Sequence, residues 1–208
     1  MIITILWEDQ RGVESKGFGP HELLLSCLAD DMLLPPGQDQ ADRFECFRRH
    51  LKGVVRSIPQ KGNSNVRKAL QQNGERLARS GPVFAVVDRD KIRELWKNQE
   101  SIPMDCMTAI RGRFHQDAPG KYDLVFLEQN VETLLVAALA LNGQSLKEKP
   151  APDERDRILV GLARDVPSRR AQLRRDCGSF DRLVTRVAAR VPRPSMTVAE
   201  KAPTHGGT

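Results

Sequence analysis

The sequence predicts an α/β protein in which a mostly parallel β-sheet is flanked by helices. Three apolar runs, at residues 1–7, 83–88 and 122–127, are continuous rather than alternating, as in strands buried on both faces of a parallel sheet. Each run is followed by a segment with helical patterning, and each ends in or next to acidic residues. Because ligands bind at the carboxyl ends of the strands in such sheets, these acids are the first candidates for a functional site.

The composition is that of a globular protein with one hydrophobic core, or with one domain and an appendage. The chain has 208 residues, of which 39% are hydrophobic and 29% charged. No apolar run approaches the roughly 20 residues of a membrane span, and the N-terminus lacks a basic leader, so we expect a cytoplasmic protein with no membrane partner. The cysteines are widely scattered and form no metal-binding motif, which favours reduced, buried thiols; they are Cys27, Cys46, Cys106 and Cys177.

The first half of the chain is predicted to alternate strands and helices, in the order strand 1–7, helix 21–32, helix 42–52, strand 54–58 and helix 66–77. Pro20 suits the first turn of a helix and supports the start of the second element. The loop at residues 61–65 could cradle a phosphate before its helix. Neither Walker nor Rossmann spacing is present, so an ordinary turn with an N-cap is favoured.

The second half is predicted to contain strand 83–88, helix 90–98, strand 122–127, helix 130–141, helix 155–164 and helix 180–191. Residues 104–110 fit either a further strand or an irregular crossing. Helix 130–141 is apolar nearly all round, which predicts burial between layers. We divide the chain into an α/β domain at 1–146, a basic helical extension packed on it at 147–191, and a disordered tail at 192–208, with a polar connector at 147–156.

The net charge of +6 is concentrated in the C-terminal third of the chain. Residues 147–193 contain thirteen Lys and Arg against seven Asp and Glu. In the helix at 180–191, apolar residues fall on one face, while Arg182, Arg186 and Arg190 line the other at a spacing of four. A basic face suggests a polyanionic partner such as nucleic acid, although solvation of a helix is the commoner reason for any single charge.

Acidic residues follow three of the predicted strands and are expected to meet at one edge of the sheet. They are Glu8, Asp88 and Asp90, Glu128, and Glu132 in the first turn of the next helix. Carboxylates gathered this densely repel one another unless a cation offsets their charge, and hard oxygen ligands suit Mg²⁺ or Mn²⁺. The alternative is structural, because an Asp at a strand end and another capping a helix are common in α/β proteins.

An early strand that ends in Glu8 and a later strand that ends in Asp88-x-Asp90 resemble the TOPRIM fold, a Rossmann-like fold. Topoisomerases, bacterial-type primases and the overcoming-lysogenisation-defect nucleases share this fold. The Asn-x-Glu-x-Leu-Leu pattern at 130–135 and the Ser-Phe-x-x-Leu pattern at 179–183 are similar to compact TOPRIM-like proteins encoded beside ATPases in bacterial anti-phage loci. The chain departs from the family in two places, because the family usually has glycine where Asp9 stands and Arg89 is an unusual residue between the two aspartates.

The resemblance implies a Mg²⁺-dependent or Mn²⁺-dependent nuclease that acts with a co-encoded ATPase in anti-phage defence. On that likeness Glu8 is the general acid/base, Asp88 and Asp90 are metal ligands, and Glu132, with or without Glu128, is a further ligand. A basic side chain near the acids could help to hold the scissile phosphate; the candidates are Lys91, Arg89 and Lys61. The row formed by Arg182, Arg186 and Arg190 is expected to contact the nucleic-acid backbone without reading its sequence.

Two other functional classes are compatible with the sequence. One is a catalytically silent TOPRIM-like module that docks on an ATPase through its basic helix. The other is an α/β protein in which the two aspartates hold a metal-nucleotide. The sequence leaves open whether the nucleic acid is DNA or RNA, and whether the protein is a monomer or a homo-oligomer.

Overall fold

A four-stranded parallel β-sheet forms the centre of the molecule in a computed structural model, which describes residues 1–33, 40–88, 107–127, 131–145 and 150–192. The strands are β1 (Ile3–Trp7), β2 (Val55–Pro59), β3 (Val83–Asp88) and β4 (Asp123–Leu127). Their order across the sheet is β2-β1-β3-β4, and every neighbouring pair is parallel. The strands β1 and β3 are therefore central, which agrees with the complete burial of their apolar residues.

Helices cover both faces of this sheet. In chain order they are α1 (Gly19–Met32), α2 (Gln40–Val54), α3 (Asn63–Ser80), α4 (Met107–Asp117), α5 (Val131–Ala140), α6 (Pro152–Ala163), α7 (Pro167–Asp176) and α8 (Gly178–Ala188). Alternate residues of the strands point to opposite faces and so belong to two hydrophobic clusters. The larger cluster joins Ile5 and Trp7 to helices on one face, and the smaller joins Leu6 to α3 and α4 on the other.

The predicted α/β class with a mostly parallel sheet is confirmed, and each of the four strands lies within two residues of a predicted strand. Strand 83–88 was placed correctly at both ends, and strand 54–58 is shifted by one residue in β2. The helices predicted at 21–32 and 42–52 are α1 and α2 with slightly longer bounds. The helix predicted at 90–98, residues 104–106 and most of the C-terminal tail lie outside the described residues.

Three predictions about helices were wrong in detail. Residues 107–110, left open as a strand or a crossing, form the first turn of α4, whose later part places the buried Phe114 in the core. Helix α5 is not buried all round, since the side chain of Val136 is 47% exposed. Helix α6 begins at Pro152, inside the segment predicted as a connector, because proline is well suited to the first turn.

Helix α7 had no counterpart among the predicted elements. Its inward side consists of Leu173 and the buried side chain of Arg170. The Arg170 guanidinium donates to both carboxylate oxygens of Asp30 at 2.6 and 2.8 Å and lies over the ring of Phe44, 4.8 Å from its centroid. An arginine that fills a core position is invisible to a search for apolar periodicity.

The three C-terminal helices share the core of the sheet. Leu159, Leu173, Phe180 and Leu183 belong to the same hydrophobic cluster as Ile5 of the central strand. Helix α6 packs along α1, and α8 packs against β4. Within the described part of the chain, no helix is both long enough and apolar enough to cross a membrane.

Candidate functional site

Two of the predicted site residues, Glu8 and Asp88, meet at the carboxyl edge of the sheet. Glu8 follows β1, and its backbone amide donates to the carbonyl of Val86 in β3 at 2.9 Å. Its side chain then turns toward the same strand, where the Oε2 atom accepts the backbone amide of Asp88 at 2.8 Å. The residues Glu8 and Asp88 are only 3% and 5% exposed. The pairing of β1 with β3 therefore brings the carboxylate of Glu8 against the backbone of Asp88, and both residues are poorly solvated.

The N-terminus of α3 lies beside this pair. The amide of Gly62 donates to the backbone carbonyl of Glu8 at 2.8 Å, and the amide of Gln60 donates to the carbonyl of Trp7 at 2.7 Å. Gly62 has a φ of 89°, which favours glycine at this turn. Because the Gly62 amide is bonded within the protein, and the side-chain amide of Asn65 donates to the carbonyl of Lys61 at 2.5 Å, the geometry of this loop is that of a turn.

A salt bridge from α6 fixes the residues that follow Glu8. The Nη1 atom of Arg155 lies 2.6 and 2.8 Å from the two carboxylate oxygens of Asp9, and Nη2 donates to the carbonyl of Gln10 at 2.5 Å. Burial raises the pKa of the Asp9 carboxyl, and the positive charge of Arg155 opposes that shift. Sequence reasoning missed Arg155, because nothing in the pattern of α6 links it to a residue 146 positions earlier.

An acidic residue of α6, Asp156, caps helix α1. Asp156 is completely buried, and its carboxylate accepts the amides of Gly12 at 2.8 Å and Gly19 at 2.9 Å and the hydroxyl of Ser15 at 3.1 Å. The residue before α1, Phe18, supplies no side-chain cap, so the carboxylate of Asp156 meets the positive end of the helix dipole in its place. This arrangement fastens both ends of the loop between β1 and α1 onto α6.

A short chain of hydrogen bonds links β1, β2 and α1. The indole Nε1 of Trp7 donates to the hydroxyl of Ser57 at 2.9 Å, and that hydroxyl lies 2.8 Å from Nδ1 of His21. Because the indole can only donate, the Ser57 hydrogen is available to His21, whose Nδ1 then accepts. Burial lowers the pKa of His21 and favours the same neutral form. No spacing in the sequence links Trp7, Ser57 and His21, so this chain could not be predicted from patterning.

The structure locates only part of the predicted acidic set. Glu132 is in the first turn of α5 and is partly buried, while Asp90, Glu128 and Lys91 lie outside the described residues. Among residues 1–33, 40–88, 107–127, 131–145 and 150–192, no three side chains of His, Cys, Asp or Glu are grouped so that they could hold a metal ion. Of the predicted acids that the structure describes, Glu8 and Asp88 are joined by a hydrogen bond between two strand ends.

The arginine row of α8 is exposed, as the sequence predicts. Arg182 and Arg186 lie on the solvent side of α8, opposite the buried side chains of Phe180 and Val184. Arg190 is exposed in the turn that follows, because the helix ends at Ala188 and not at the predicted residue 191. The guanidinium of Arg186 also reaches to 3.5 Å from the carbonyl of Leu124 in the edge strand β4. Other arginines of the C-terminal helices point inward to carboxylates, namely Arg155, Arg169, Arg170 and Arg174. Only part of the positive charge of this region is therefore displayed to a partner.

No protein-family model, curated protein or solved structure matches this chain significantly.

Proposed function

We propose that this protein is a TOPRIM-like nuclease that uses Mg²⁺ or Mn²⁺ to cleave phosphodiester bonds in DNA or RNA. One observation carries the proposal, namely the 2.8 Å hydrogen bond from the amide of Asp88 to the carboxylate of Glu8 across two central parallel strands. The bond fixes an acid at the end of one strand beside an acid at the end of its neighbour. Carboxyl ends of parallel strands are also the usual ligand-binding edge of α/β sheets.

The residues present suit a hard divalent cation. Glu8 and Asp88 offer buried carboxylate oxygens, the ligand type that Mg²⁺ and Mn²⁺ prefer. We assign Asp88 and Asp90 as ligands, with Glu132 and Glu128 as further ligands. When bound, such a cation would supply Lewis-acid chemistry, that is, a lower pKa for a bound water molecule and stabilisation of charge on the leaving oxygen. Glu8, oriented by the amide of Asp88, exchanges protons with the attacking water and the leaving group as the general acid/base.

The exposed row of α8 supplies the nucleic-acid contacts in this proposal. Arg182 and Arg186 are one helical turn apart on α8, and Arg190 is exposed just beyond its end, so several guanidinium groups can contact phosphates along one backbone. Lys91 would hold the scissile phosphate near the acids. Because such contacts are electrostatic, binding weakens steeply with salt and depends little on nucleotide sequence.

We further propose that the nuclease is the effector of an anti-phage defence system and works in the cytoplasm with a co-encoded ATPase. A second function is favoured by the near-complete burial of Glu8 and Asp88, since a carboxylate that caps a strand-end amide also has a structural use. In this alternative the protein is a catalytically silent module that docks on the ATPase through its basic helix.

A cleavage assay separates these functions. Purified protein is incubated with supercoiled plasmid DNA or with a structured RNA in Mg²⁺, in Mn²⁺ and in EDTA. The nuclease proposal expects cation-dependent cleavage that Asp88→Asn abolishes. Asp123→Asn is the matched control, because Asp123 is the first residue of β4 and lies at the opposite edge of the sheet. Cleavage that survives in Asp88→Asn contradicts the assigned site, and no cleavage by the wild type with either substrate favours the docking module.

A binding assay examines the arginine row independently of cleavage. The Arg186→Gln/Arg190→Gln double variant is expected to bind nucleic acid more weakly and to show a salt slope smaller by about 1.5, since each lost phosphate contact removes roughly 0.7 to 0.9. The control is Arg76→Gln/Arg79→Gln on α3, where both residues are exposed but belong to a helix on the other face of the sheet. Equal loss in the two double variants would show that the row is not the interface.

A further inference from the structure

The loop that follows Glu8 is hydrogen-bonded to the first turns of α6 and packs closely against them. Asp153 accepts the amide of Glu14 at 2.8 Å, and Asp156 accepts the amides of Gly12 and Gly19. A Cβ atom added to Gly12 would lie 2.7 Å from the Cα of Asp153, and one added to Gly19 would lie 2.9 Å from the Cα of Asp156. Both distances are shorter than side chains tolerate, so this loop and α6 can approach as they do only because these residues are glycines.

Among the residues of α6 that hold this loop, Arg155 binds the part of the loop closest to Glu8. Its guanidinium binds both carboxylate oxygens of Asp9 and the carbonyl of Gln10, the two residues directly after Glu8. Arg155 is only 8% exposed. A planar guanidinium in a buried position defines the orientation of its partners more strictly than a lysine ammonium does. Arg155 therefore fixes both a side chain and the main chain immediately downstream of the proposed general acid/base.

We propose that Arg155 is a positioning residue for the carboxylate of Glu8, an inference that rests on the function proposed above. The hydrogen bond between Glu8 and the amide of Asp88 sets the carboxylate only while the backbone at Asp9 and Gln10 is held in place. Because Arg155 belongs to α6, the metal-binding geometry requires the C-terminal helices as well as the sheet. The site is complete only when α6 is docked on the β1–α1 loop.

Mn²⁺ binding, measured by isothermal titration calorimetry on the full chain, tests this role without requiring cleavage. Arg155→Gln is expected to weaken Mn²⁺ binding by about tenfold or more, because Glu8 holds the backbone amide of the proposed ligand Asp88 and residues that orient metal ligands typically have effects of this size. The matched control is Arg174→Gln on α7. Arg174 is likewise held by carboxylates, but these belong to Asp31 on α1 and Asp181 on α8, each at 2.6 Å. It is expected to leave Mn²⁺ affinity within about twofold of the wild type.

Hydrogen exchange in the absence of metal provides a second readout. Arg155→Gln is expected to accelerate amide exchange in residues 9–19, whereas Arg174→Gln is not. Arg155→Lys keeps the charge but not the planar fork, and is expected to restore folding fully and Mn²⁺ affinity only in part. If Arg155→Gln does not fold, the Mn²⁺ affinity of Arg155→Lys tests the positioning role. An affinity of that variant equal to the wild-type value overturns the role.

The outcomes distinguish this inference from the proposed function. A wild-type chain that neither binds Mn²⁺ nor cleaves nucleic acid overturns the proposed function, and the positioning role with it. A wild-type chain that binds Mn²⁺, together with an Arg155→Gln variant that binds it equally well, overturns the positioning role alone. Equal weakening by Arg155→Gln and Arg174→Gln also overturns it, because the effect would then follow from general loss of stability.

Discussion

Replacing Asp156 by Asn is predicted to destabilise the fold strongly, although the two side chains have nearly the same shape. The carboxylate accepts three hydrogen bonds, from the amides of Gly12 and Gly19 and the hydroxyl of Ser15, and both of its oxygens are used. Asparagine offers one acceptor oxygen and one NH₂ group. Whichever way the amide is turned, its NH₂ group faces a buried backbone N–H.

The expected loss in the free energy of unfolding of Asp156→Asn can be worked out from these contacts. One buried donor left without an acceptor costs about 1 to 3 kcal/mol, and each remaining bond weakens by about 1 kcal/mol when its acceptor loses its charge. The neutral side chain recovers part of the cost of burying a carboxylate. We therefore expect a loss of about 3 kcal/mol in the free energy of unfolding.

Urea unfolding, followed by circular dichroism, measures this loss. Asp153→Asn is the control on the same helix. Asp153 accepts the amide of Glu14 through one oxygen, and an asparagine can keep that bond. It is expected to cost no more than about 1 kcal/mol, including the loss of a negative charge in the first turn of α6. If Asp156→Asn is no less stable than Asp153→Asn, the loop is not fastened by the Asp156 carboxylate as described.

Two further predictions concern buried titratable groups. Burial lowers the pKa of His21 from its ordinary 6.5, so the unfolded chain takes up a proton more readily than the folded one, and stability should fall as the pH drops below about 6.5. Urea unfolding at pH 7.5 and pH 5.5 should show a smaller loss in His21→Asn than in the wild type, and an identical loss would contradict the buried neutral imidazole. Burial also raises the pKa of Cys27 to about 12 and that of Cys177 to about 11, whereas Cys46 is exposed. Iodoacetamide at pH 8 should therefore label Cys46 before Cys27 and Cys177 in peptide mass spectra, and equally fast labelling of Cys27 would refute the assignment of a buried, protonated thiol.

The sequence was sufficient for features that depend on hydrophobic patterning. Continuous apolar runs located β1 and β3, and an amphipathic pattern located α8 with its arginines outward. Of the acids expected to converge at strand ends, Glu8 and Asp88 come into contact because β1 and β3 are parallel neighbours.

Patterning could not reveal contacts that depend on charge and long-range geometry. Arg170 occupies a core position in α7 through its salt bridge with Asp30, so the helix carries almost no apolar signal. Arg155 and Asp156 were counted in a basic extension and in a connector, yet they bind residues more than 135 positions earlier. The inward use of such arginines also explains why net charge alone overstates the basic surface of this region.

The most direct test of the account is to locate the cation. Crystals grown with Mn²⁺ should show an anomalous difference peak at the carboxyl edge of the sheet, within roughly 2.0 to 2.5 Å of carboxylate oxygens from Asp88 and its neighbouring acids. Crystals of Asp88→Asn grown in the same way should lack that peak. A peak elsewhere on the molecule, or a vacant edge in crystals of a wild-type chain that binds Mn²⁺ in solution, would contradict the proposal that Glu8 and Asp88 belong to a metal centre.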